Sequence, residues 1–191
     1  MDIFLQVWGG VGYLLAKILL SHAEGLSDDR KWRIVGWSAY LIGLPAWVIL
    51  LVGQQNWIAV AIEAGGAPVL LLGLVMAWKR LDKVHKYYDW GVKGFTYLMI
   101  AIGVGYSLYC FGGITTFSQT LEIGVMVGFL LGSYFVAKKN PIGWLLYAVM
   151  LLSMGSLMLI KGKPILVGQQ AISLIFVIIG FIRSIRRVKT V

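Results

Sequence analysis

Charge is what this sequence lacks. Only 13% of its 191 residues are charged, about half the share of a soluble domain, where roughly 25% is usual. That excludes an ordinary soluble globular enzyme and any disordered chain. Cysteine is nearly absent too: Cys110 stands alone, so an intrachain disulfide and a Cys-rich metal site are both excluded. Histidine is limited to His22 and His85, both in polar connections. No His-Glu-x-x-His, Gly-x-Ser-x-Gly or Walker lysine loop occurs, so no enzymatic activity, catalytic residue, metal site or cofactor is expected. Acidic residues number eight against seventeen Lys and Arg.

What is present is apolar length. Hydrophobic residues make up 59% of the chain, and its mean hydropathy is +0.83. Runs of ~20 apolar residues match the hydrocarbon thickness of a bilayer at 1.5 Å of rise per residue. Seven such spans read as about 3–21, 34–53, 56–78, 88–111, 116–137, 141–160 and 164–185. No cleavable signal is expected: Ser21-His22-Ala23 mimics a cleavage site, but no basic segment precedes the first run.

Lys and Arg set the orientation. Thirteen of the seventeen fall in the first, third and fifth connections and the C-terminal tail, all on one side. Lys161 and Lys163 alone occupy the other side, while Lys17 and Lys93 sit within spans near the basic side, where their stems can snorkel. The positive-inside rule then predicts a multi-pass protein of the cell inner (cytoplasmic) membrane, N-terminus outside and C-terminus cytoplasmic. The net charge of +9 is read as a topological signal, and no nucleic acid is expected as partner. The partners expected are a small-molecule substrate and the lipid bilayer. Self-association into a homo-oligomer stays open.

An internal repeat organises the spans. A shift of 107 residues lays spans two and three on spans six and seven without a gap. Gly36-Trp37 falls on Gly143-Trp144, Tyr40 on Tyr147, Glu63 on Gln170, Gly73 on Gly180, and Lys79-Arg80 on Arg186-Arg187. Span one lies on span five with a shift of 121, Tyr13 to Lys17 meeting Tyr134 to Lys138. The fold expected is an all-α polytopic membrane protein of seven transmembrane helices: two parallel three-helix repeats joined by a linker helix, 3+1+3. Residues 1–80 form the first bundle, 81–113 the loop and linker, and 114–191 the second bundle with its basic tail. An odd linker gives both triplets one orientation, related by an axis along the membrane normal.

On these residues the chain resembles the superfamily of SWEET and PnuC transporters, and the PnuC family more than SWEET. The resemblance rests on the Gly-Trp-x-x-x-Tyr start of spans two and six and on Gly73 leading to Trp78-Lys79-Arg80. The partner segment, Gly180 to Arg186-Arg187, lacks the tryptophan, and no Pro-Gln pair of the PQ-loop kind is present. The resemblance implies a vitamin-precursor carrier, for solutes such as nicotinamide riboside, with net flux maintained by intracellular trapping.

Ionisable and amide groups inside spans are costly and mark candidate sites. Glu63, Glu122, Gln169 and Gln170 reach similar depth in spans three, five and seven. A flat polar solute also needs aromatic faces, for which Trp47, Tyr97 and Tyr147 lie deep enough. These seven are the candidate substrate-binding residues. Four of them have a plainer reading: Glu122 facing a wet vestibule, Glu63 bonded to a neighbouring helix, the two glutamines as interhelical glue. Trp37 and Trp144, at span starts, read as interfacial anchors. Gly124, Gly128 and Gly132 form a close-approach stripe on one helix face. Pro68, beside Gly65-Gly66, either breaks its helix next to Glu63 or kinks it for packing, and Pro45 offers a hinge.

The function expected is a facilitator that moves a small polar vitamin-like or nucleoside-like molecule by alternating access between the two repeats. The competing expectation is a membrane scaffold or partner subunit with no transport cycle of its own, and an intramembrane enzyme ranks third.

Overall fold

The computed structural model of the chain describes residues 2–53, 57–81, 84–113, 117–160, 162 and 164–189. Asn56 and Thr116, where two spans were expected to start, lie outside these residues, as do Lys83, Lys161 and Lys163. Seven α-helices account for the described chain: α1 (Asp2–Ala23), α2 (Arg30–Gly53), α3 (Trp57–Trp78), α4 (Lys86–Phe111), α5 (Phe117–Ala137), α6 (Ile142–Ile160) and α7 (Pro164–Lys189). No strand occurs among the described residues. Within them, five stretches are long and apolar enough to cross a membrane: Ile3–Ala23, Ala59–Trp78, Phe117–Ala137, Ile142–Ile160 and Leu166–Arg187.

The helix ends follow local chemistry. α4 stops at Gly112, which takes the left-handed conformation (φ 66°) and returns its amide to the Leu108 carbonyl. α3 and α5 stop the same way without glycine, Arg80 (φ 53°) and Lys139 (φ 56°) taking the left-handed position. The amides that follow, Leu81 and Asn140, bond back to Met76 and Phe135 at 2.9 Å each. The Asn140 side chain then accepts the amide of Ile142 at 3.0 Å and opens α6. Pro164 begins α7, where its missing amide costs nothing.

Six helices pack in a closed ring in the order α1, α2, α3, α5, α6, α7, with α7 returning to α1. α4 stands outside the ring against α3 and α5. The centre of the ring is aromatic. Trp37, Tyr40, Phe129, Trp144 and Tyr147 are all buried there.

Small residues set the spacing. A Cβ on Gly128 would fall 2.6 Å from the Leu146 carbonyl oxygen, and one on Gly132 would fall 2.8 Å from the Tyr147 ring, so the expected stripe on α5 does seat α6. Gly12 meets α2 in the matching way, against the Ala39 carbonyl at 3.0 Å and the Cα of Gly43 at 2.9 Å. Gly12 and Gly128 thus do the same job, as do Leu20 against Gly36 and Val136 against Gly143.

These contacts put α1 on α5 with a shift of 116, not 121. Five residues of helix are about 140° of rotation at 3.6 residues per turn, so the Tyr13–Lys17 and Tyr134–Lys138 pairs face different ways. Tyr13 points into the ring, stacked on Phe129 with centroids 6.2 Å apart. Tyr134 points out to α4, where its hydroxyl donates to Asp89 at 2.7 Å.

Two further expectations are corrected, and the choice left open at Pro68 is decided. Trp37 and Trp144 are not interfacial anchors: they are 1% and 0% exposed, each lying over a glycine of the next helix. A Cβ on Gly73 would be 2.6 Å from Cδ2 of Trp37, and one on Gly180 would be 2.7 Å from Cζ3 of Trp144. Lys17 does not snorkel, being 3% exposed within the ring, whereas Lys93 is exposed. Pro68 does not break α3, which is helical from 57 to 78. Gly65 and Gly66 beside it instead admit Met99 of α4 and Phe129 of α5. α2 likewise runs unbroken through Pro45.

Candidate functional site

Inside the ring lies a cavity of about 40 Å³ lined by residues of α1, α2, α3, α5, α6 and α7. Glu63, Gln169, Gln170 and Trp47, four of the seven residues singled out in the sequence, meet there. Helix geometry explains the convergence. Glu63 lies six residues into α3, about 9 Å of rise, and the glutamines enter α7 by a similar length, bringing the polar groups to one level.

The remaining three lie elsewhere. Tyr147 is fully buried nearby, but its hydroxyl is engaged with Ser133 at 2.9 Å and does not line the cavity. Tyr97 is 52% exposed on α4, with the Lys93 ammonium 5.9 Å from its ring centre. Glu122 is half-buried on α5, away from the cavity lining.

Sequence reasoning missed the α1 contribution. Tyr13 donates its hydroxyl to the Glu63 carboxylate, joining α1 to α3. Lys17, one turn further along α1, also lines the cavity. Its ammonium lies 5.6 Å and 5.4 Å from the ring centres of Tyr13 and Tyr40. Among the described residues it forms no ion pair. The signal was available: Tyr13 and Lys17 are four residues apart and so share one face, the face that carries Gly9 and Gly12.

The amides divide between structure and site. Gln169 Nε2 donates to the Gly10 carbonyl at 2.9 Å, bridging α7 to α1. Gln170 lines the cavity, its Cβ lying 3.7 Å from the position a Cβ on Gly155 would take. The indole Nε1 of Trp47 is buried without a hydrogen-bond partner among the described residues.

The basic end of the ring is closed by ion pairs. Arg33, 2% exposed, binds Glu24 at 2.7 Å and Asp29 at 2.8 Å. From α7, Arg187 reaches Asp29 at 2.7 Å and Glu24 at 3.7 Å. Lys139, at the α5–α6 turn, stands 3.6 Å from Asp29. Trp144 Nε1 donates to Glu24 at 3.4 Å, and Arg183 donates to the Ser21 carbonyl at 3.1 Å. Burial alone would raise the Asp29 carboxyl, but the Arg187 hydrogen bond and the Arg33 and Lys139 charges outweigh it and hold it below its ordinary range. The basic connections therefore fasten α1 and α2 to α5, α6 and α7.

No known protein family, curated protein or solved structure matches this chain. The cavity has a chemistry of its own. It offers an ammonium, a carboxylate, two amides and several ring faces in one enclosed volume.

Proposed function

We propose that the chain is a multi-pass carrier of the cytoplasmic membrane, built as two parallel three-helix repeats around a linker helix. In this reading it moves a small polar, vitamin-like or nucleoside-like solute. α1–α3 and α5–α7 are the two halves, and α4 is the linker. The matched seats of Trp37 over Gly73 and Trp144 over Gly180 support the duplication, since the same 107-residue shift relates both partners.

One observation carries transport over a purely structural bundle. Lys17 and Glu63 are placed inside apolar helices, on a cavity between the halves. A buried charge costs several kcal/mol of desolvation, whereas ring faces return only about 0.5–2 kcal/mol to an ammonium. A scaffold has no use for such a deficit; a solute site does. Alternating access then consists of opening the ion-paired basic end while the opposite end closes. The PnuC-like reading belongs to the same proposal and rests on the 3+1+3 pattern and the short motifs quoted from the sequence.

Flux tests it. The purified chain in proteoliposomes should equilibrate at least one labelled solute from a panel of vitamins, nucleosides and small polar metabolites faster than empty vesicles do. The double variant Lys17→Met, Glu63→Gln should lose that flux. A folded protein that carries nothing in such a panel returns the scaffold reading to first place.

A further inference from the structure

The two charges in the cavity are held apart. Lys17 and Glu63 both line it, yet no ion pair joins them. Glu63 has one oxygen engaged by Tyr13, which leaves the second available to a ligand. Lys17 Nζ has ring faces beside it and three donors to give. Beside them, Trp47 Nε1 is an unmade donor and Gln170 an amide that lines the wall. In low dielectric, two opposite charges that attract without touching each keep hydrogen-bonding capacity unspent.

From this juxtaposition we propose that the carried solute is a small zwitterion, its acidic group meeting Lys17 and its basic group meeting Glu63. The inference rests on the transport reading and narrows its solute. A solute with one charge satisfies one end of the site and leaves the other charge buried and unpaired. A neutral nucleoside leaves both. A zwitterion satisfies the two charges together and adds no net charge to the membrane interior. The resting volume is small: about 40 Å³ holds about three or four waters at roughly 10–15 Å³ each. Admitting a short aliphatic dipolar molecule needs less widening than admitting a ring system with a sugar.

The test uses one carbon skeleton with its charges varied: β-alanine, propionate, propylamine and propionamide. The readout is the thermal unfolding midpoint of the intact chain in detergent, titrated with each compound. Counterflow of labelled β-alanine in proteoliposomes is measured separately. β-Alanine is expected to raise the midpoint, with the singly charged analogues roughly tenfold weaker or worse, as loss of one charged hydrogen bond implies. Lys17→Met should abolish the preference over propylamine, and Glu63→Gln the preference over propionate. Because the compound series is read on the unaltered chain, a variant that fails to fold does not weaken the test. Equal shifts from propionate or propylamine, or no shift from β-alanine, overturn the zwitterion site. β-Alanine that binds while nothing in the solute panel is carried upholds the site and defeats transport. A nucleoside that is carried while β-alanine does not bind defeats the site and leaves transport standing.

Discussion

Arg187 places Nη1 2.7 Å from Oδ2 of Asp29, across 158 residues of sequence. The contact ties the last helix to the connection between the first two, at the basic end of the ring. If that end is a gate, the pair is part of what holds it shut. Arg187→Gln should therefore speed the reaction of an introduced Gln170→Cys with a charged thiol reagent applied from the basic side, in a Cys110→Ser background. Lys31→Gln, a change at an exposed position, should leave the rate alone. Unchanged labelling in Arg187→Gln would show that Arg187 does not control access to the cavity.

The same cluster sets an acid limit on stability. The Asp29 carboxyl is held below its ordinary value of 3.8 by Arg187, Arg33 and Lys139. A depressed folded value means the unfolded chain takes up the proton first. The stabilisation is thus complete above 3.8 and is lost as pH falls through the lower, folded value. The unfolding midpoint should stay level from neutral pH to about pH 5 and drop below about pH 4. Asp29→Asn should lower the neutral midpoint and flatten that acid slope. A slope centred near neutral pH would assign the acid limit to other groups.

Glycine substitutions separate seats from spacers. Alanine at Gly73 or Gly180 intrudes on a buried tryptophan and should cost about 1–3 kcal/mol, the usual range for overpacking. At Gly91 or Gly94 on α4 nothing lies within 4 Å of an added Cβ. There alanine should be neutral or stabilise by up to about 1 kcal/mol through helix propensity. Thermal unfolding of the four single variants checks both halves. Equal losses at Gly73 and Gly91 would contradict the seating of Trp37.

The seven helices were legible because hydrophobic length is a local signal, and five of them carry a stretch long and apolar enough to cross a membrane. The site was legible in part. Glu63, Gln169 and Gln170 stand out as polar groups in apolar runs, whatever they touch. Trp37 and Trp144 were not readable in the same way. A tryptophan at a span's start looks the same whether it meets headgroups or a neighbouring helix. What decides between them is a glycine 36 residues further on in each case, Gly73 and Gly180, a long-range fact. Lys17 was misread for a related reason. Snorkelling depends on which way its helix face points, and that is fixed by the Gly12 contact with Ala39 and Gly43. The 121-residue match of Tyr and Lys concealed it, because similar residues at the wrong register face opposite neighbours.

Sidedness gives a direct check on the topology. Single cysteines placed at residues 27 and 31, in the basic connection around α2's start, should react with impermeant reagents only in inside-out vesicles of a Cys110→Ser chain. A cysteine at residue 162, in the connection between α6 and α7, should react only in right-side-out vesicles or whole cells. The reverse pattern would place the N-terminus in the cytoplasm.

Tyr13→Phe isolates the role of one hydroxyl. The ring stays, and with it the stack on Phe129 at 6.2 Å and the edge contact with Tyr40 at 4.8 Å. What is lost is the donor to Glu63. A hydrogen bond to a charged group contributes about 1.5–3 kcal/mol, yet the carboxylate faces a cavity where water can replace the donor, so the stability loss should fall at or below the lower end. Solute handling should suffer more. Without Tyr13 the carboxylate is free to turn toward Lys17, closing the gap that a solute must bridge. The variant is therefore expected to unfold within a few degrees of the parent while its flux falls roughly tenfold, the effect of about 1.4 kcal/mol. Tyr13→Phe, Glu63→Gln should be no worse than Glu63→Gln alone, because the hydroxyl acts through the carboxylate. Additive losses in that double variant would mean that Tyr13 meets the solute itself and that its bond to Glu63 is incidental.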